Sequence, residues 1–132
     1  MCFNRSILYP FKRKARKHKL VYKGLEQNRW ATKRGSVQED YIAPYRGTKY
    51  EFGKLYDAVF TSQGKSIYAG LHSFRGKRIA HKELGWMPGH DIFPAIIPKG
   101  SAYYTNFNEV VSEQLIVFRN MDELNKWKEE NK

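Results

Sequence analysis

A chain of 132 residues makes one ordinary domain, long enough to bury a single core and too short for two. Its 41% apolar and 15% aromatic content excludes a disordered tail, so the formal net charge of +11 is carried on the surface of something folded. The lone cysteine, Cys2, excludes an internal disulfide and a cysteine zinc cluster and fits a reducing compartment, the cytoplasm of a bacterial host.

No stretch approaches the roughly 20 apolar residues that cross a bilayer, and Ser6 to Phe11 precedes the charge instead of following it, so neither a membrane span nor a signal peptide is expected. Charge is uneven along the chain. Residues 1–40 hold 11 Lys and Arg against 3 acids, and residues 41–132 hold 13 against 10. The densest run is Lys12-Arg13-Lys14-Ala15-Arg16-Lys17-His18-Lys19, with six fixed positive charges in eight residues.

In chain order, Leu20-Val21-Tyr22 is a short apolar patch, and the polar stretch Glu26 to Arg34 predicts a short helix ahead of Gly35. Lys49 to Phe52 alternates, Leu55 to Thr61 is aromatic and β-branched, and Ser66 to Leu71 follows the turn-like Ser62-Gln63-Gly64-Lys65, a pattern of antiparallel hairpins. Arg75 to Asp91, rich in Gly, Lys and His, predicts a loop. Beyond it, Ile92 to Ile97 and Ser101 to Thr105 read as strands joined by a Pro98-Lys99-Gly100 turn. Asn106 to Asn108 is a second turn, and Glu109 to Phe118 alternates as a half-buried strand. Asn120 caps a closing helix, with Glu123 three residues on and Leu124 and Trp127 as its apolar stripe. The expected fold is α+β: a small antiparallel β-sheet domain over 41–132 with a C-terminal helix, and a basic N-terminal segment over 1–40 packed on it or leading into it.

Several blocks carry a resemblance. Tyr22-Lys23-Gly24-Leu25, Tyr50-Glu51-Phe52-Gly53-Lys54-Leu55-Tyr56, Gly70-Leu71-His72-Ser73-Phe74, Ile97 to Tyr104 and Glu109-Val110-Val111-Ser112 are similar to blocks of small proteins encoded by bacteriophages and prophages, over roughly residues 45–118. The resemblance implies a mobile-element setting and no established activity. Some members carry cysteines around the Gly-x-His block; this chain has none there, so no metal role is carried across. The basic run lies outside the resemblance.

Chemically, the run predicts a polyanion partner. Each Lys or Arg that neutralises a phosphate releases condensed counterions, and Lys12, Arg13, Lys14, Arg16, Lys17, Lys19, Lys23, Arg29, Lys33 and Arg34 are the candidate contacts. Tyr9, Phe11, Tyr22 and Trp30 are interleaved aromatics suited to stacking on unpaired bases, which favours RNA over a duplex groove. Trp30, Trp86 and Met87 are candidate interface anchors. The expected function is a non-enzymatic accessory protein that binds RNA or a host ribonucleoprotein, in the manner of a counter-defence, anti-CRISPR-type inhibitor. A virion or genome-packaging protein would use the same basic arm.

The enzymatic alternative is a small ADP-ribosyltransferase-like or hydrolytic enzyme using His72 as acid or base. The set His72, Tyr104 and Glu113 resembles the His, Tyr, Glu constellation of ADP-ribosyltransferases at shorter intervals. His81 and His90 with Asp91 match no compact ligand spacing, so no metal and no cofactor is implied.

Overall fold

The computed structural model describes residues 3–4, 12–31, 37–42, 49–63, 66–84 and 90–132. The strands are β1 (Phe3–Asn4), β2 (Arg13–Lys14), β3 (Lys19–Ala31), β4 (Val37–Ile42), β5 (Lys49–Tyr50), β6 (Leu55–Asp57), β7 (Thr61–Gln63), β8 (Ser66–Ala69), β9 (Leu71–Phe74), β10 (His90–Ile97), β11 (Ala102–Thr105), β12 (Glu109–Ser112) and β13 (Gln114–Val117). Two helices join them, α1 (Lys77–Leu84) and α2 (Met121–Glu130). All pairings among the described strands are antiparallel. The architecture is α+β, with a sheet of order β2-β11-β12-β9-β3-β10-β13-β6, the pair β4 and β5 added beside β3, and a separate three-stranded sheet β1-β8-β7.

The longest strand comes from the basic third of the chain. β3 pairs with β10 over eight residue pairs, from Lys19↔Ile97 to His90↔Glu26, and continues against β4 to Ala31. The short helix expected over Glu26 to Arg34 is therefore replaced by strand through Ala31. The polar composition of that stretch carries no helical stripe, and pairing with β4 decides the conformation. Val21, Lys23 and Leu25 face the interior while Tyr22 and Gly24 face out. The charge step at residue 40 has no counterpart in the sheet.

β12 and β13 form one continuous run bent at Glu113. Its first half pairs with β9 and β11, its second with β10 and β6. The path β12-β9-β3-β10-β13 thus returns to the strand it left, and the sheet closes into a small barrel. Inside lie Val21, Leu25, Tyr50, Leu71, Ala95, Ile97, Val110, Leu115 and Val117. The run 109–118 is buried on both faces instead of half-buried. Ile116 and Phe118, which point outward, are covered by Leu124 and Trp127 of α2, and Val111 is covered by Phe60 and Tyr104.

The expected loop over Arg75 to Asp91 contains α1. Ala80 and Leu84, one helical turn apart, and Ile79 pack on Tyr22, Phe74 and Ile92 across the outer face of β3, β9 and β10. Elsewhere the turn chemistry acts as expected. Ser101 N–H donates to Pro98 O (3.1 Å). Asn106 Oδ1 accepts from the amides of Asn108 (2.9 Å) and Glu109 (2.8 Å). Asn120 Oδ1 accepts from Glu123 N–H (2.9 Å) to cap α2.

Gly70 combines a positive φ with a close approach. It joins β8 to β9 at φ +124°, and a Cβ there would lie 2.4 Å from Val111 Cγ2 and 3.1 Å from the Phe60 ring. Gly70→Ala combines a left-handed backbone penalty with overpacking, and we expect a loss of about 2 kcal/mol in urea unfolding.

Candidate nucleic-acid interface

Within the basic run, the one small apolar residue is the anchor. Ala15 is buried, its N–H donates to Ser101 O (2.9 Å) and its carbonyl accepts from Gly100 N–H (2.8 Å). On one side of it, β2 pairs Arg13 with Tyr103 and Lys14 with Ala102. On the other, Arg16 and Lys17 occupy a bend before β3. The run is thereby laid along the Pro98–Ser101 turn and the edge of β11, with Lys12, Arg13, Lys14, Arg16 and Lys17 exposed.

His18 fastens the far end. Its Nδ1 accepts from Lys99 N–H (3.0 Å), which assigns the proton to Nε2, and Nε2 donates to Asn131 O (2.7 Å). The ring also meets Trp127 edge-on at 4.7 Å between centroids. His18→Ala leaves these backbone groups without a protein partner, a loss of about 1 kcal/mol that corresponds to roughly fivefold more frequent local opening. The expected readout is fivefold faster trypsin cleavage within residues 12–17, with the barrel intact.

Two adjoining depressions result. One, of about 960 Å³, is lined by Arg13, Lys14, Ala15, Arg16, Lys99, Gly100 and Tyr103. The other, of about 250 Å³, is lined by Ala15, Arg16, Lys17, His18, Lys19 and Tyr103. No carboxylate belongs to either lining among the described residues. Tyr103 is common to both, and Lys19 Nζ stands 5.5 Å from its ring centroid. Partial burial, then the charges of Arg75 and Arg13, hold the Lys19 ammonium below its ordinary value. Cations pressed together in this way are relieved by an anion. Arg75 also donates to Asn106 O at 3.1 Å.

A third depression, of about 460 Å³, begins across Gly100. It is lined by Asp57, Ala58, Val59, Ser101, Glu113 and Gln114, so its character is acidic. Gln114 Nε2 donates to Asp57 Oδ1 (2.9 Å) and Ala102 N–H donates to Glu113 Oε1 (3.2 Å).

Of the residues singled out from the sequence, Lys12 is exposed just ahead of β2, and Arg13, Lys14, Arg16, Lys17 and Lys19 come together here. Lys23 does not. It is 7% exposed, inside the barrel, with its ammonium bonded to His72 O and 5.3 Å from the Tyr50 ring centroid. The alternation of β3 sends 21, 23 and 25 inward together, which removes Lys23 from the surface. Tyr22 is likewise no stacking platform, because it packs beneath α1. Arg29 and Trp30 have strand backbone in β3, but their side chains lie outside the described part. Tyr9, Phe11, Lys33, Arg34, Trp86 and Met87 lie outside the described residues.

Lys99 and Tyr103 were missed by sequence reading, since their place beside the run depends on pairing between residues some 90 apart in the chain. His72 sits on β9 opposite Val111, which is itself opposite Tyr104 on β11, so His72 and Tyr104 flank Val111 in one outward row. Glu113 is at the bend, bonded to Ala102. His81 is exposed on α1 and Asp91 is exposed on β10. Among the described residues no group of three or more His, Cys, Asp or Glu has the placement to hold a metal, and no helix is long and apolar enough to cross a membrane. No protein-family model, no curated protein and no solved structure matches the chain significantly.

Proposed function

We propose that this protein is a non-enzymatic RNA-binding protein whose contact surface is the cationic groove along residues 12–19, Lys99 and Tyr103. The observation that carries this reading is the groove's lining: Arg13, Lys14, Arg16, Lys17, Lys19 and Lys99 surround the Tyr103 phenol with no described carboxylate among them. The run is anchored through the Ala15 backbone and the His18 ring, so its charges are displayed on a fixed edge and little ordering is required on binding. RNA held in a host ribonucleoprotein presents the same phosphates as free RNA. A counter-defence role would follow if occupation of that RNA blocks the effector.

The test is affinity for RNA measured against ionic strength. Five phosphate contacts on a single strand give a slope of log K on log salt near −3.5, so affinity should fall about a hundredfold between roughly 50 and 200 mM salt. An affinity flat across that range would overturn the reading.

A further inference from the structure

We propose that Tyr103 is a base-stacking platform, so that the groove takes an unpaired polynucleotide and not a duplex; this rests on the RNA-binding reading above. Tyr103 sits where the two cationic depressions meet, and its phenol ring is the only carbocyclic ring among the described residues of either lining. The surrounding charges sit on both sides of it in the chain path: Arg13 lies directly opposite in β2, Arg16 and Lys17 follow on the bend, and Lys19 Nζ stands 5.5 Å from the ring centroid. A nucleotide strand running through such a site would place successive phosphates against the cations and a base against the ring between them.

The ring is also held ready. Tyr103 packs against the barrel core, and its strand is paired on both sides by β2 and β12. A preset aromatic face loses little freedom when a base docks. In a duplex the bases are already stacked on one another and turn only their edges outward, so a duplex can use the cations and not the ring. Among the described residues of the two linings, the other aromatic ring is His18, and it is engaged by Lys99, Asn131 and Trp127.

The experiment is titration of the full chain with an oligouridylate of about 12 nucleotides carrying a central 2-aminopurine, beside a duplex of the same length, for wild type, Tyr103→Phe, Tyr103→Leu and Tyr103→Ala. Stacking on the ring predicts quenched 2-aminopurine fluorescence in wild type and Tyr103→Phe. Tyr103→Leu and Tyr103→Ala should lose the quenching and between about five- and a hundredfold of single-strand affinity, with the salt slope unchanged and duplex binding scarcely altered. Tyr103→Leu keeps an apolar filler in the core, so it carries the test if Tyr103→Ala folds poorly. Full single-strand affinity and quenching in Tyr103→Leu, or equal loss on strand and duplex, would overturn the stacking platform and leave the RNA-binding reading in place. Failure of wild type to bind either polynucleotide in a salt-dependent way would overturn both.

Discussion

Replacing Arg13, Lys14, Arg16 and Lys99 together by Gln should cost two to three orders of magnitude in RNA affinity at about 0.1 M salt, because four lost phosphate contacts each remove roughly 0.7 from the salt slope. The slope itself should drop from near −3.5 to about −1. All four residues are exposed, and β2 keeps its pairing to Ala102 and Tyr103 through backbone groups, so the fold should be unaffected. The matched control removes the same charge elsewhere: Lys54, Lys77, Lys82 and Lys126 are exposed and line neither depression. That control should lose less than about tenfold, since at this salt the Debye length is near 10 Å and distant charges are screened. Equal losses in the two variants, measured by fluorescence anisotropy, would show that net charge and not the groove governs binding.

The second large effect is on stability, and it comes from the lysine that is not in the groove. Burial pushes Lys23 down from its ordinary 10.5 to about 8. Below about pH 8 the ammonium is charged in both folded and unfolded chains, and the folded state bears the full cost of burying it. Between about 8 and 10.5 the folded state has released the proton while the unfolded chain still binds it, so stability rises with pH, by roughly 3 kcal/mol in all. Lys19, also held low, adds in the same sense. Tyr50 acts oppositely. Burial and then the neighbouring Tyr56 push it from 10 up to about 12, so above pH 10 the unfolded chain ionises first and stability falls. Urea unfolding across pH should therefore show a maximum near pH 10. Lys23→Met should raise stability at neutral pH and abolish most of the rise, because an apolar side chain of similar length replaces a buried charge whose described hydrogen bond is to His72 O. A wild-type profile that is flat between pH 8 and 10 would contradict this account.

Lys23 also explains what the sequence concealed. An alternating strand reads clearly when its inward positions are apolar, and a lysine between Val21 and Leu25 interrupts that signal in the strand with the most pairings. Helix α1 hid for a different reason: only Ile79, Ala80 and Leu84 are apolar in a stretch otherwise filled with charge. By contrast, Pro98 to Gly100, Asn106 to Asn108 and the Asn120 cap were legible because each depends on residues within four positions of one another. The same division runs through the groove. Its charges are contiguous in the chain and could be read directly, whereas the ring and the sixth cation arrive through the β2 and β11 pairing and the His18 to Lys99 bond.

The acidic depression beyond Gly100 sets a boundary condition on whatever lies in the cationic one. Asp57 and Glu113 are tethered by Gln114 and by the Ala102 amide, so they stay on their own side of the Pro98–Ser101 turn. A phosphate chain that crossed Gly100 would pass from attraction to repulsion within the width of one residue. An RNA bound as proposed would therefore keep to the cationic side, with the turn as a kerb.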